Sequence, residues 1–285
     1  MEQLLKNIQI IYNRKINIEK INIEKDIQDE LLKNKKKKLL LAKRDEAIFP
    51  AGLENTVNSC YANSLTQLFA QIPEIEYYLN DKFPSYAKLI KDLKEVDEKG
   101  IIFQHDICDI AMKNIGHIQS QDDPRSTFIH ITDQIKEIPE IMVKRLVNNI
   151  QKDLFFMDIN ADKENSNIQE QLEDIISKIK KNNNTIIFSQ YLFTMMNTTG
   201  PIVNTKINNE LKIEEDNYNL IGAILHRGET QQGGHYISIK KINNIWYEIN
   251  DSFVIEISDI NKYIQNIEEK DKASKRIRIV LYKKI

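Results

Sequence analysis

Cysteine is almost missing from this chain: Cys60 and Cys108 are the two among 285 residues. Two thiols in such different settings argue against a disulfide framework and predict a reducing, intracellular compartment, cytoplasm or nucleus. An excess of charge of one sign is missing as well. With 40 Lys and Arg against 42 Asp and Glu, the formal net charge is −2. The molecule as a whole is therefore no electrostatic partner for nucleic acid. No stretch approaches the roughly 18 consecutive apolar residues of a transmembrane helix. Lys6, Asn7, Asn13 and Arg14 break up the N-terminus, which lacks the apolar core of a secretory signal.

Glycine and proline are absent before Pro50. That first stretch holds a two-unit repeat, Ile16 to Lys20 and Ile21 to Lys25, followed by Leu31-Leu32 and the basic run Lys35 to Lys38. Two units make no solenoid. The pattern predicts a charged, helical extension over residues 1–48, and Pro50-Ala51-Gly52 marks the start of a second unit over 49–285. A basic tag for nucleus, anionic membrane or a partner is the alternative, for which four lysines are too few alone. An apolar content of 41% is enough for a sizeable core.

The second unit turns on the stretch GLENTVNSCYANSLTQLF, Gly52 to Phe69. Cys60 lies where a polar run gives way to Leu65, Leu68, Phe69 and Ile72, a helical spacing that ends near Pro73. Asn58 or Ser59 is placed to cap that helix. A thiol at a helix N-terminus faces the positive end of the dipole, which favours the thiolate. The simpler alternative is a buried structural cysteine.

A thiolate enzyme also needs an imidazole and a third polar group to orient it. His235 follows Gly233-Gly234 and opens the alternating run Tyr236, Ile237, Ser238, Ile239. Asn250-Asp251 ends a second alternating run that begins at Ile245. A hairpin through Lys240 to Asn244 sets Asn250 beside His235.

These two stretches resemble the cysteine and histidine boxes of the ubiquitin-specific protease family. The first follows G-L-x-N-x-G-N-T-C-Y-x-N-S-x-x-Q at Gly52, Leu53, Asn55, Asn58, Cys60, Tyr61, Asn63, Ser64 and Gln67. The second matches at His226, Gly228, Gly233, Gly234, His235, Tyr236, Trp246, Asn250 and Asp251. The resemblance implies an α+β, papain-like fold with a helical half followed by an antiparallel-strand-rich half. It implies hydrolysis after the C-terminal Gly-Gly of ubiquitin, with Cys60 as nucleophile, His235 as base, Asn250 as its orienter and Asn55 in the oxyanion hole. Asp251 shares the orienting role, and Gly233, Gly234 and Tyr236 wall the slot over the substrate tail. The implied partner is ubiquitin or a ubiquitin-like protein, and no cofactor is implied. Two alternatives stay open: a protease for another Gly-Gly modifier, and a catalytically weak ubiquitin-binding module.

Departures from the pattern are informative. Val57 stands where the family has glycine, so a positive φ there strains the loop. Ser120 to Ile135 resembles a third motif at Gln121, Asp123 and Asp133, whose acidic residues face arginines of the ubiquitin tail, but the expected glutamate is Ser126. A helix cap at Asp122 or Asp123 explains that stretch nearly as well. No cysteine follows Cys108, so the family's zinc finger is impossible over Ile138 to Asn184 and a reduced fingers region is expected. The spacing of His105, Cys108 and His117 fits no standard zinc site either.

Elsewhere the patterns predict helical pieces at Tyr77 to Leu79, Tyr86 to Val96 and Ile168 to Ile179. They predict strands at Leu154 to Ile159, Thr185 to Phe193, Ile202 to Ile213, Leu220 to Leu225 and Ile277 to Tyr282.

Overall fold

The computed structural model describes residues 50–96, 101–117, 122–135, 137–147, 150–160, 167–182, 184–197, 206–228, 234–269 and 276–285. The extension expected over 1–48 lies outside the described residues.

Helices dominate the first half. α1 (Cys60–Phe69) is buried along its whole length, polar residues included. Gln67 Nε2 donates to the Ala51 carbonyl at 2.9 Å, and Thr66 Oγ1 bonds back to the Ala62 carbonyl at 2.7 Å. Such partners let polar side chains enter a core. The helix tightens at Gln71 and Ile72 through i to i−3 bonds and stops before Pro73, as its spacing predicted.

α2 (Ile75–Asn80) and α3 (Pro84–Val96) follow. The first free N–H groups of α3 are taken by Asn114 Oδ1, which accepts from Ser85 and Tyr86. Asn114 ends α4 (His105–Asn114), and α5 (Pro124–Asp133) completes this half. Asp123 caps α5, accepting from the Arg125 N–H at 2.8 Å, with Pro124 at the first position.

The second half is mostly strand. The long strand β9 (Asp216–Arg227) has β10 (His235–Ile242) on one side and β13 (Arg276–Lys284) on the other. β11 (Ile245–Asn250) and β12 (Phe253–Ile257) extend one edge of the sheet. β7 (Tyr191–Asn197) and β5 (Met157–Asn160) extend the other, and β8 (Glu210–Ile213) pairs with β9. The expected hairpin is present between β10 and β11. Its turn is shorter than Lys240 to Asn244: Asn243 and Asn244 alone make it, both left-handed, at φ 48° and 68°. Two positive φ values match the strand twist, and asparagine tolerates them.

A separate three-stranded sheet joins β4 (Ile150–Leu154), β3 (Val143–Val147) and β6 (Thr185–Ile187), in the segment where a reduced fingers region was expected. Two expected strands prove to be broken. Leu154 to Ile159 is the end of β4 and the start of β5, which lie in different sheets. Phe155 and Phe156 leave the ladder between them, and the Phe156 ring packs edge-on against Phe128. Thr185 to Phe193 likewise divides into β6 and β7. Ser189 breaks the run by bonding the Tyr191 carbonyl through its own hydroxyl, while its carbonyl accepts from Tyr218. Of Ile202 to Ile213, residues 202–205 lie outside the described residues and the strand begins at Glu210.

The large sheet is covered on both faces. One face carries α1 and α5, joined by Phe69, Phe128 and Phe193 with ring centroids 4.9 to 6.1 Å apart. On the other, α6 (Ile168–Lys181) packs Ile168, Leu172, Ile176 and Ile179 against the strands. A sheet buried on both faces explains why β7 is buried from Tyr191 to Met196 without alternation. Helical half, then strand-rich half, is the papain-like order.

Gly222 on β9 decides how closely α1 sits. A Cβ there would meet Gln71 Nε2 at 2.5 Å, Leu68 Cδ2 at 2.7 Å and the Ile239 carbonyl at 3.0 Å. Gly222→Ala must displace the Leu68 and Gln71 side-chain ends that pack α1 on the sheet, with an expected loss of about 1–3 kcal/mol in urea unfolding. An unchanged midpoint would show that the helix bearing Cys60 has slack that this packing denies.

Candidate active site

The loop entering α1 is built by local side-chain bonds. β1 (Gly52–Leu53) pairs in parallel with β2 (Ile102–Phe103), and the Leu53 N–H donates to the Asp251 carbonyl at 3.0 Å. Next, the Thr56 N–H donates to Ser59 Oγ at 2.8 Å, and the Ser59 N–H to Asn55 Oδ1 at 3.1 Å. Ser59 precedes the helix as expected, but no side chain caps α1. Its hydroxyl reaches back into the loop instead. Val57 and Asn58 are both left-handed, at φ 55° and 60°. The strain expected of a β-branched residue in place of glycine is therefore present. Cys60, 3% exposed, is the first residue of the helix.

His235 opens β10 opposite Arg227 of β9. Extending the Ser238–Ile249 register puts Asn250 diagonal to His235 on the same face. His235 Nε2 lies 2.6 Å from Asn250 Oδ1. An amide oxygen only accepts, so Nε2 carries the proton and Nδ1 is left for Cys60. The imidazole is pushed up to a pKa of about 9. Its hydrogen bond to Cys60 is the largest cause, and burial opposes it. The Asn250 bond and the negative charges of Cys60 and Asp251 add to the rise.

Asp251 follows in the tight turn between β11 and β12, left-handed at φ 51°. This backbone sends two consecutive side chains to different places, Asn250 to the histidine and Asp251 down to the helix. Asp251 Oδ1 accepts from Asn63 Nδ2 at 2.7 Å, and Oδ2 from Asn55 Nδ2 at 2.9 Å. Oδ2 also lies 3.8 Å from His235 Nε2. One N–H of the Asn55 amide is spent on Asp251, and the second is left over for another acceptor. Asn63 had a place in the cysteine box but no role. It lies three residues after Cys60, hence on the same helix face, and that spacing was the signal that could have found it.

The expected substrate-binding residues fare differently. Gln121 and Gly233 lie outside the described residues. Gly234 packs on its neighbour: a Cβ would come within 2.3 Å of His226 Nε2. Tyr236, expected as a wall of the slot, is 1% exposed, with its ring 4.7 Å from that of His226. It lies beneath the surface because both faces of β10 are covered. Asp123, expected to face an arginine of a substrate, instead receives Arg278 Nη2 at 2.8 Å. Arg278 is 3% exposed and sits at a β-bulge of β13, which turns it toward α5. The sequence patterns had not singled it out.

Of the candidate metal ligands, Cys108 Sγ contacts the Phe103 carbonyl, and burial pushes its thiol up to a pKa of about 12. His117 is bound to Tyr61 and the loop. Among the described residues no three His, Cys, Asp or Glu side chains converge to hold a metal.

The chain is similar to several known proteins. The family model described as ubiquitin carboxyl-terminal hydrolase matches residues 171–276, which include His235, Asn250 and Asp251. Ubiquitin carboxyl-terminal hydrolase 3 of Saccharomyces cerevisiae is 29% identical over 164 residues, 56% of this chain and 16% of that protein. The chain thus spans a small part of the curated relative it matches. Among solved structures, an essential yeast splicing factor superposes with a TM-score of 0.60 at 16% identity, covering 82% of this chain and 69% of that one. The SAGA DUB module bound to monoubiquitin gives 0.58 at 14% identity, with the same coverage. At such identities the likeness is one of fold.

The imidazole generates a titration prediction. In NMR spectra the His235 ring should titrate near pH 9, and Cys60→Ala should lower that midpoint by removing its largest cause. A folded pKa above the ordinary 6.5 also means that this group's contribution to stability is full below pH 6.5 and fades as pH rises through about 9. A midpoint unmoved by Cys60→Ala would separate the two side chains.

Proposed function

We propose that this chain, a member of the ubiquitin-specific protease family, is a thiol-dependent deubiquitinase cleaving the isopeptide or peptide bond after the C-terminal Gly-Gly of ubiquitin. The observation that carries the reading is the line of Cys60, His235 and Asn250, brought from a helix start and a hairpin into hydrogen-bond order. Cys60 attacks the terminal glycine carbonyl as thiolate, its proton held on His235. The tetrahedral oxyanion takes the second N–H of Asn55 and a backbone N–H near Cys60. Collapse expels the lysine amine, which leaves with the proton from His235, and a thioester remains. Water then gives a proton to His235 and attacks the thioester, and Cys60 departs as thiolate. Asn250 keeps the imidazole in one tautomer throughout. A reducing compartment keeps Cys60 free to react.

A second reading, protease for another Gly-Gly modifier, is favoured by one observation. Asp123 is already engaged by Arg278, and Ser126 offers no second carboxylate to a basic tail.

The test is reaction with an electrophile mounted on the ubiquitin tail. A covalent adduct is expected with the unaltered protein and none with Cys60→Ala. Asn55→Ala should slow turnover by about 100-fold or more. Faster hydrolysis of a ubiquitin-like substrate than of ubiquitin would favour the second reading. A folded protein that hydrolyses neither would overturn both.

A further inference from the structure

We propose that His117 is a positioning residue for the Cys60 loop: oriented by the Tyr61 hydroxyl, its buried imidazole holds the Val57 carbonyl and so sets Asn55 and the backbone before Cys60. The catalytic consequence rests on the deubiquitinase reading; the clamp itself does not.

Two consecutive non-glycine residues in the left-handed region are uncommon, and valine is among the least suited to it. Such a backbone persists where its surroundings over-determine it. The loop's own bonds join Thr56, Ser59 and Asn55 to one another and leave the Val57 carbonyl to something outside. His117 Nε2 meets that carbonyl at 3.1 Å and the Thr56 carbonyl at 3.4 Å. Both oxygens only accept, so Nε2 bears the proton. Nδ1 on the other side of the ring faces the Tyr61 hydroxyl at 2.6 Å. Burial pushes the Tyr61 pKa up, helped by the charges of Asp122 and Cys60, so the hydroxyl keeps its proton to donate. Both ring nitrogens are thus used, one on the loop carbonyls and one on the Tyr61 hydroxyl.

The placement of His117 is as firm as its bonding. α4 ends in a Schellman motif: Gly116 is left-handed at φ 81°, its N–H donates to the Lys113 carbonyl, and the His117 N–H to the Met112 carbonyl at 3.0 Å. His117 is 5% exposed. Since Tyr61 directly follows Cys60, the imidazole ties the residue after the thiol to the loop before it. A shift of the loop would move Asn55 relative to a developing oxyanion, and about 1 Å of misplacement can cost on the order of 100-fold.

The experiment compares His117→Ala, His117→Gln and Tyr61→Phe with the unaltered protein. It uses amide hydrogen exchange over residues 55–60 and kinetics on a fluorogenic amide of the ubiquitin C-terminus. Glutamine keeps an N–H donor at the reach of Nε2. Tyr61→Phe removes one hydroxyl and leaves the packing. The clamp predicts faster loop exchange in His117→Ala and Tyr61→Phe, and recovery in His117→Gln. It also predicts kcat lowered about 10- to 100-fold with KM within about twofold. Loop exchange unchanged in Tyr61→Phe, or kcat and KM moving together without rescue by glutamine, would overturn it. If the unaltered protein does not turn over the substrate, the deubiquitinase reading falls, and loop exchange decides the clamp by itself.

Discussion

One carboxylate holds this site together. Asp251 is 12% exposed, and a carboxylate withdrawn from water must have each oxygen satisfied. Its two oxygens take Asn63 from the helix and Asn55 from the loop, while its carbonyl takes the Leu53 N–H from β1. Three points along Leu53 to Asn63, a stretch distant from Asp251 in sequence, thus end at one residue of a two-residue turn. Because both side-chain partners are neutral amides, the negative charge is not cancelled. It remains 3.8 Å from the imidazole that is hydrogen-bonded to Cys60.

This arrangement divides a task between neighbours. Asn250 is neutral and only 2.6 Å from His235 Nε2, so it fixes the tautomer without supplying charge. Asp251 supplies the charge from farther off and spends its hydrogen bonds on Asn55 and Asn63. The raised imidazole pKa carries contributions from both. A proton is therefore held readily on the ring, as a thiolate nucleophile requires.

Much of the site was legible because its chemistry depends on residue type at fixed spacing. Cys60 at a helix start and Asn250 diagonal to His235 follow from helical period, alternation and a short turn. Other features come from geometry that a linear pattern does not encode. Alternation along β13 cannot say that Arg278 sits at a bulge and so leaves the sheet for Asp123. Tyr236 in an alternating strand reads as half-exposed, yet the sheet is covered on both faces and buries it. The runs through Phe155-Phe156 and Ser189 look continuous in apolar residues, but the chain changes sheet at both places. His117 lies near His105 and Cys108 in sequence, but its partners are a hydroxyl and two carbonyls, groups that carry no residue-type signature.

If Asp251 is the hub, then Asn55 acts in part through it. A double-mutant cycle on kcat, with Asn55→Ala, Asp251→Ala and the pair, measures that dependence directly. The account predicts a coupling of about 1–3 kcal/mol, so that removing Asn55 costs little once Asp251 is gone. Losses that add within about 0.5 kcal/mol would contradict it, since independent residues behave that way.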